Sequence, residues 1–338
     1  MTNNVKVDVS VWTIIKIVLV FVAIWFLFYI RDILLLLFLT IIIVAALNPI
    51  VNWMSKFFSR TISVIILSFA LVLVLTAIGF LIIPQLIGQL GQLSINLPLI
   101  LNRITPIYAN IHDFVPNYQE ILFNISSQLG RLTSGLFATT LGFINGIVAF
   151  VTVIFLTFYI LLEKEPVKTF IETIVAPEKK KNFYEIVKRI SNKLGGWLRG
   201  QITLMTLVGI LNGIALLIIG VPYALTLAIW GGLTEIIPYL GPWLGLIPAV
   251  IVALTISPIK ALFVLIVYLV IQQIEAQFLV PKVMGKAVGL SPVIIIIAVL
   301  VGAKLFGILG ILIAVPIAAV VWVLIQSWPE IRKLKDNS

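Results

Sequence analysis

Residues 222–254 read PYALTLAIWGGLTEIIPYLGPWLGLIPAVIVAL, and residues 292–325 read PVIIIIAVLVGAKLFGILGILIAVPIAAVVWVLI. Each stretch is almost wholly apolar and longer than the roughly 20 residues that cross a bilayer core. Each is also interrupted by glycine and proline, which break helices and leave backbone groups unpaired. Both therefore read as hairpins of two helical arms, with about 15 to 20 residues per arm. They also match position by position. The first has Pro222, Ala228, Gly232, Gly241 and Pro248, and the second has Pro292, Ala298, Gly302, Gly310 and Pro316. The first two intervals are identical, at six and four residues; the next two are nine and seven against eight and six. This likeness predicts an internal repeat.

The rest of the chain agrees with a membrane setting. Of its 338 residues 61% are hydrophobic and only 11% charged, with a mean hydropathy of +1.20. Further spans are expected at Val11–Ile30, Ile33–Trp53, Ile62–Ile83, Leu141–Leu162, Ile202–Ile219 and Ile259–Phe278. None alternates in the manner of barrel strands, and no small-residue cleavage site follows the first run, which is expected to stay as a helix. The fold class is thus an all-α polytopic membrane protein of about eight segments.

Loop charges set the expected orientation. Lys56 and Arg60 lie between the second and third spans, and the connection from Glu163 to Arg199 holds nine bases. Placing both in the cytoplasm puts the N- and C-termini inside and the segment from Pro84 to Thr140 outside. The two glycine-rich hairpins then enter from opposite faces, as an inverted repeat does. The net charge of +10 divides accordingly: eighteen of 23 bases and eight of 13 acids fall on the cytoplasmic side. The excess is an orientation and inner-leaflet signal, which removes the motive for nucleic-acid binding. The expected organisation is scaffold spans over 1–83, an outer insert of short amphipathic helices over 84–140, a fourth span over 141–162, and a basic amphipathic connection over 163–201. A transport core follows over 202–328, with hairpins at 222–256 and 290–325, and a tail at 329–338. Within the connection, Phe183, Ile186, Val187, Ile190, Leu194, Trp197 and Leu198 recur at helical spacing. Such a helix suits the anionic inner leaflet, a neighbouring subunit, or its own bundle.

Charge at a helix centre costs about 2.5–3.5 kcal/mol on insertion scales, so the three charged residues inside the C-terminal apolar stretches are candidate pathway residues. Glu235 sits at the expected turn of the first hairpin, beside Thr234, Pro238, Gly241 and Pro242. It reads as an ion, proton or polar-solute ligand, or else as a cap or partner of Lys304. Glu275 shares a helix with Gln272, Gln273 and Gln277, and their three- and four-residue spacings predict a polar stripe turned away from lipid. Lys304 aligns with Thr234 in the repeat and is a candidate at the second hairpin tip. Candidate hinge positions are Gly232, Pro281, Gly285, Gly302, Gly307, Gly310 and Pro316.

Catalysis is not expected. There is no phosphate-binding glycine loop and no His-Glu-x-x-His pair. The chain has no cysteine, and His112, its one histidine, reads as a surface residue, so no metal site and no cofactor beyond a coupling H⁺ or Na⁺ are expected.

With Glu-Ile-Ile-Pro-Tyr-Leu-Gly-Pro at 235–242, Gln-x-x-Glu-x-x-x-x-x-Pro-Lys-Val-Met-Gly at 272–285, Gly-Leu-Ser-Pro at 289–292 and Gly-Ile-Leu-Gly-Ile-Leu-Ile-Ala-Val-Pro at 307–316, the chain resembles the AI-2E family of permeases, often called autoinducer-2 exporters. The resemblance covers nearly the whole chain, including Asn48-Pro49. It implies a multi-pass bacterial inner-membrane protein that assembles as a homo-oligomer and transports a small solute. Members have been linked to autoinducer-2 export and others to sodium–proton antiport. Glu235, Pro238, Gly241, Pro242, Glu275, Pro281 and Gly285 match family motif positions. The expected function is a secondary transporter of a small polar solute, such as autoinducer-2, working by alternating access. A Na⁺(Li⁺)/H⁺ antiporter is the alternative, and a non-transporting scaffold or channel a second one. Expected partners are the solute or cation and anionic lipids at the cytoplasmic face.

Overall fold

Helices that are apolar on every side satisfy their backbone groups internally, which lets them cross a bilayer without exposing a free N–H or C=O. The computed structural model is built from such helices. It describes residues 11–104, 148–164, 168, 169, 171, 172, 175, 177–285, 289–330 and 332, with no strand among them. Helix α1 spans Val11–Tyr29, α2 Arg31–Met54, α3 Arg60–Ile104, α4 Val148–Leu162 and α5 Lys180–Ile219. The short helices α6 (Ala224–Thr234) and α7 (Gly241–Leu254) follow. Then come α8 (Pro258–Ile274), a π turn (Glu275–Leu279), α9 (Val280–Met284) and α10 (Pro292–Gln326). Six of these stretches are long and apolar enough to cross a membrane: α1, α2, the first half of α3, α5, α8 with its continuation to Met284, and α10. The chain is therefore a multi-pass, all-helical membrane protein.

Side-chain caps mark the helix starts that follow the Ser-Pro pairs. Ser257 accepts a hydrogen bond from the Ile259 N–H and Ser291 from that of Ile294. In both, proline takes the first helical position, where a missing N–H costs nothing. At the other end of α5, Gly220 adopts a left-handed cap (φ 71°), and Lys260 Nζ donates to its carbonyl at 3.0 Å.

Arg60 ties α2, α3 and α4 together at one end. Its Nε donates to the Leu161 carbonyl at 2.8 Å, Nη1 to Asn52 Oδ1 at 2.9 Å, and Nη2 to Asn48 Oδ1 at 3.3 Å and the Glu163 carbonyl at 3.0 Å. Beneath it Val51, Val64 and Leu161 are buried together. Lysine keeps the charge but lacks the planar fork. Arg60→Lys is expected to lower the thermal midpoint in detergent, and Arg60→Ala to cost more than about 2 kcal/mol, since hydrogen bonds to a charged group are worth about 1.5–3 kcal/mol each. Midpoints equal to the parent's for both variants would contradict this role.

Two expected boundaries are corrected. The apolar span of α3 ends at Phe80, close to the expected Ile83, but the helix does not end there and give way to short helices: α3 runs on through Pro84 and Pro98 to Ile104, about 68 Å at 1.5 Å per residue. Proline removes one hydrogen bond and bends a helix without always ending it, so it is a weak boundary signal in a long apolar helix. Beyond Pro84, α3 reaches the first hairpin, where Gln85 and Thr226 are hydrogen-bonded. The second boundary, at 201/202, is also missing. The basic amphipathic connection and the following span form one helix, α5, about 60 Å long. The basic half of α5 docks on its own bundle, burying Leu194 and Trp197 with Ile42 and Ala45 of α2 and Ile313, Val315 and Ala319 of α10. Gly195 allows the approach, since a Cβ there would strike the Ala45 carbonyl, and Arg199 Nη1 donates to the Ala45 and Ala46 carbonyls at 3.2 Å. The outer insert from 105 to 140, His112, residues 141–147 of the fourth span, and 333–338 of the tail lie outside the described residues.

The two glycine-rich stretches fold back on themselves. In the first, α6 and α7 are antiparallel arms joined by residues 235–240, and Trp230 Nε1 reaches across to the Leu244 carbonyl at 2.9 Å. In the second, Gly307 has φ 60° and ψ −137° inside α10. Eight residues of straight helix would separate Gly302 from Gly310 by about 12 Å. Instead a Cβ on either glycine would strike the other's carbonyl. The chain thus reverses at Gly307, a conformation that favours glycine. Aligned positions do different work, however: Gly302 packs on Gly310, while its counterpart Gly232 packs on Gly209 of α5.

Candidate substrate and ion site

The site is centred on the tip of the first hairpin. Helix α6 ends at Thr234, whose Oγ1 donates back to the Gly231 carbonyl at 2.9 Å. The Ile236 N–H returns to the Leu233 carbonyl and that of Ile237 to Thr234. The Leu240 N–H bonds the Pro238 carbonyl two residues back at 2.8 Å, with Tyr239 at φ 65°. That is a γ-turn of the strained, positive-φ kind. Gly241 then starts α7 against the end of α6, where a Cβ would strike the Thr234 carbonyl. This tight closure leaves Glu235 at the tip, 2% exposed, its backbone carbonyl accepting from Gln201 Nε2 on α5.

The second acid comes from the break after α8. Pro281 has no N–H to return to the carbonyl of Gln277, four residues earlier. The helix widens just before it, and the Val280 N–H bonds the Glu275 carbonyl five residues back. Such π turns recur at functional sites. Glu275 begins this one and is 7% exposed. The side-chain carboxyls of Glu235 and Glu275 lie within hydrogen-bonding reach of each other. Ionised carboxylates only accept hydrogen bonds, so a bond between the two would need a proton on one of them. Glu235 Oε1 and Glu275 Oε2 are buried without a hydrogen-bond donor, as is Gln272 Oε1.

The candidates from the sequence separate into two sets. Thr234, Glu235, Gly241, Glu275 and Gln272 gather at the hairpin tip, with Pro238 and Pro242 half-buried in the turn. Gln273 and Gln277 do not join them. They are exposed on the opposite side of the helix, with Gln277 Nε2 donating to Gln273 Oε1 at 3.3 Å, so the expected single stripe is two faces. Lys304 is also exposed, three residues before the reversal at Gly307, and pairs with no acid among the described residues. The alternative partner for Glu235, Lys304, is not paired with it; Glu235 faces Glu275 instead. Of the hinge candidates, Gly232, Gly310 and Pro316 are buried, Gly302 is half-buried, and Pro281, Gly285 and Gly307 are exposed. Gln201, Asn212 and Tyr268 were absent from the sequence candidates, yet all three are buried. The spacing of Tyr268, Gln272 and Glu275, four and three residues apart, was the readable signal. Gly209 and Gly213, four apart on α5, are another: they let α6 approach through Ala228 and Gly232. Among the described residues no group of three or more metal-ligating side chains occurs.

Comparison with known proteins agrees with this architecture. Residues 14–330 match the sequence model described as "AI-2E family transporter". "Putative transport protein YrrI" of Bacillus subtilis (strain 168) is 30% identical over 315 residues, covering 90% of this chain and 88% of its own length. "Putative transport protein YueF" from the same organism is 31% identical over 309 residues, covering 86% and 83%. "Putative permease PerM" of Escherichia coli (strain K12) is 26% identical over 280 residues, covering 79% and 78%.

Proposed function

Because the chain belongs to the AI-2E transporter family, we propose that it is a proton-coupled secondary transporter of a small polar solute, with the Glu235–Glu275 pair as its coupling site. One observation carries this reading: two buried carboxyls from different elements meet at the tip of a broken hairpin, each with an oxygen left unpartnered. A buried acid is costly in a membrane and is retained where it binds or relays something. Neutral amides and hydroxyls beside it, from Gln201, Gln272 and Thr234, suit a hydroxylated solute such as autoinducer-2. Alternating access follows from the hairpins: α6–α7 and the two arms of α10 act as an inverted repeat that rocks against α1 to α4. Loop charge supports cytoplasmic termini and an inner-membrane location. The wholly unburied α1 supports a homo-oligomer.

A second reading, Na⁺(Li⁺)/H⁺ antiport, is favoured by the same contact, because a carboxyl pair that holds one proton can exchange it for a cation. A pH-sensitive dye trapped in proteoliposomes tests both. Addition of Na⁺, Li⁺ or autoinducer-2 outside is expected to move protons in at least one case. Silence with all three across neutral pH, together with tight co-purification of another protein, would instead support a scaffold.

A further inference from the structure

Three more orphaned polar groups continue from the carboxyl pair toward the end of the bundle away from the basic half of α5. Glu275, at the start of the π turn, follows Gln272 and Tyr268 of α8 at spacings of three and four residues, on one helix face. Gln272 Oε1 and the Tyr268 hydroxyl are buried without a hydrogen-bond partner. Asn212 Oδ1 on α5 is buried and unpartnered as well. Asn212 is 3% exposed and Tyr268 6%. They meet at Gly231 of α6: a Cβ on that glycine would lie 3.1 Å from Asn212 Nδ2 and 3.7 Å from the Tyr268 hydroxyl. The absent side chain lets the polar ends of Asn212 and Tyr268 approach the α6 backbone. Along α5, Asn212 stands about 16 Å beyond Gln201, the residue that marks the level of Glu235.

We propose that Tyr268, Asn212 and Gln272 line a water-filled passage that brings protons to the Glu235–Glu275 pair from the end of the bundle opposite Lys180–Arg199. The proposal rests on the reading of that pair as the coupling site. A buried polar atom left unsatisfied costs about 1–3 kcal/mol, and an enclosed water with two to four polar neighbours removes that cost. Successive residues on one helix face are about 5–6 Å apart at Cβ, a spacing that one water bridges. Tyr268 is the relay residue: its oxygen accepts a proton from water on the far side as its own hydroxyl proton passes to water on the near side, with no net change. Asn212 and Gln272 position the waters and carry no proton themselves.

The chain contains no cysteine, so single-cysteine variants of the full-length protein report water access without further changes. Asn212→Cys in sealed vesicles is expected to react with a membrane-impermeant methanethiosulfonate from the face opposite the basic half of α5. It should react at least about tenfold faster than Val208→Cys, which sits one turn away and is buried, because a thiol ionises and reacts only where water reaches it. Gln272→Cys provides a second site if Asn212→Cys does not fold. Equal labelling at Asn212→Cys, Gln272→Cys and Val208→Cys, or labelling from the other face, would overturn the passage. Tyr268→Phe removes one hydroxyl, and it is expected to slow dye-reported proton movement about tenfold while the thermal midpoint stays that of the parent. Unchanged proton movement would remove Tyr268 from the relay. The coupling-site reading fails separately, if Glu235→Gln moves protons like the parent.

Discussion

Glu235→Gln is expected to abolish coupled transport in proteoliposomes, by at least about 100-fold, while leaving the protein folded. The predicted factor corresponds to about 2.8 kcal/mol at 1.4 kcal/mol per decade, within the cost of replacing a group that must bind and release charge. Glutamine has the shape of glutamic acid and can still donate to Glu275, so the hairpin tip keeps its contacts. It cannot give up a proton. A carboxylate at membrane depth costs about 2.5–3.5 kcal/mol, so stability is expected to stay level or to rise. Glu275→Gln should behave the same way. Gln277→Glu and Lys304→Gln serve as controls, because both positions are exposed and outside the cluster, and both are expected to transport like the parent. Parent-like flux in both Glu235→Gln and Glu275→Gln, for every solute the parent moves, would show that the carboxyl pair is not the site.

Gly310→Val is expected to be the most damaging single change to the fold. A Cβ at Gly310 would strike the Gly302 carbonyl and come within 2.9 Å of Phe306 Cβ. The first of these is backbone on the neighbouring arm, which cannot rotate away. Overpacking a core usually costs about 1–3 kcal/mol, and here relief requires opening the hairpin at Gly307. We expect Gly310→Val and Gly302→Val to lose the monodisperse peak in size-exclusion chromatography, whereas Leu309→Val, on the exposed side of the same arm, should retain it. Normal elution and melting of both glycine variants would contradict the tight reversal.

Much of this architecture is legible in the residues themselves. Apolar runs locate the spans because a bilayer demands length and hydropathy, and the Ser-Pro pairs at 257–258 and 291–292 mark helix starts through local chemistry. Glu235 and Glu275 are conspicuous because charge is rare at membrane depth. What the residues conceal depends on tertiary contact. Pro84 and Pro98 resemble helix ends, but α3 continues through them. The basic connection and the span after it read as separate segments, yet residues 180–219 are one helix, in which Gly195 lets α2 approach. The four polar residues at 272–277 resemble a single stripe until geometry separates Gln272 and Glu275 from Gln273 and Gln277. Asn212 and Tyr268 look ordinary in their helices, and only their meeting at Gly231 gives them a role.

The proposed coupling site requires that Glu235 and Glu275 hold an exchangeable proton between them. Infrared spectroscopy of protein labelled with ¹³C-glutamate tests it without knowledge of the solute. At neutral pH the parent should show a protonated-carboxyl band that shifts with the label and moves again in D₂O, and the Glu235→Gln, Glu275→Gln double variant should lack it. A parent spectrum with no protonated glutamic acid, or a band that survives in the double variant, would contradict the account.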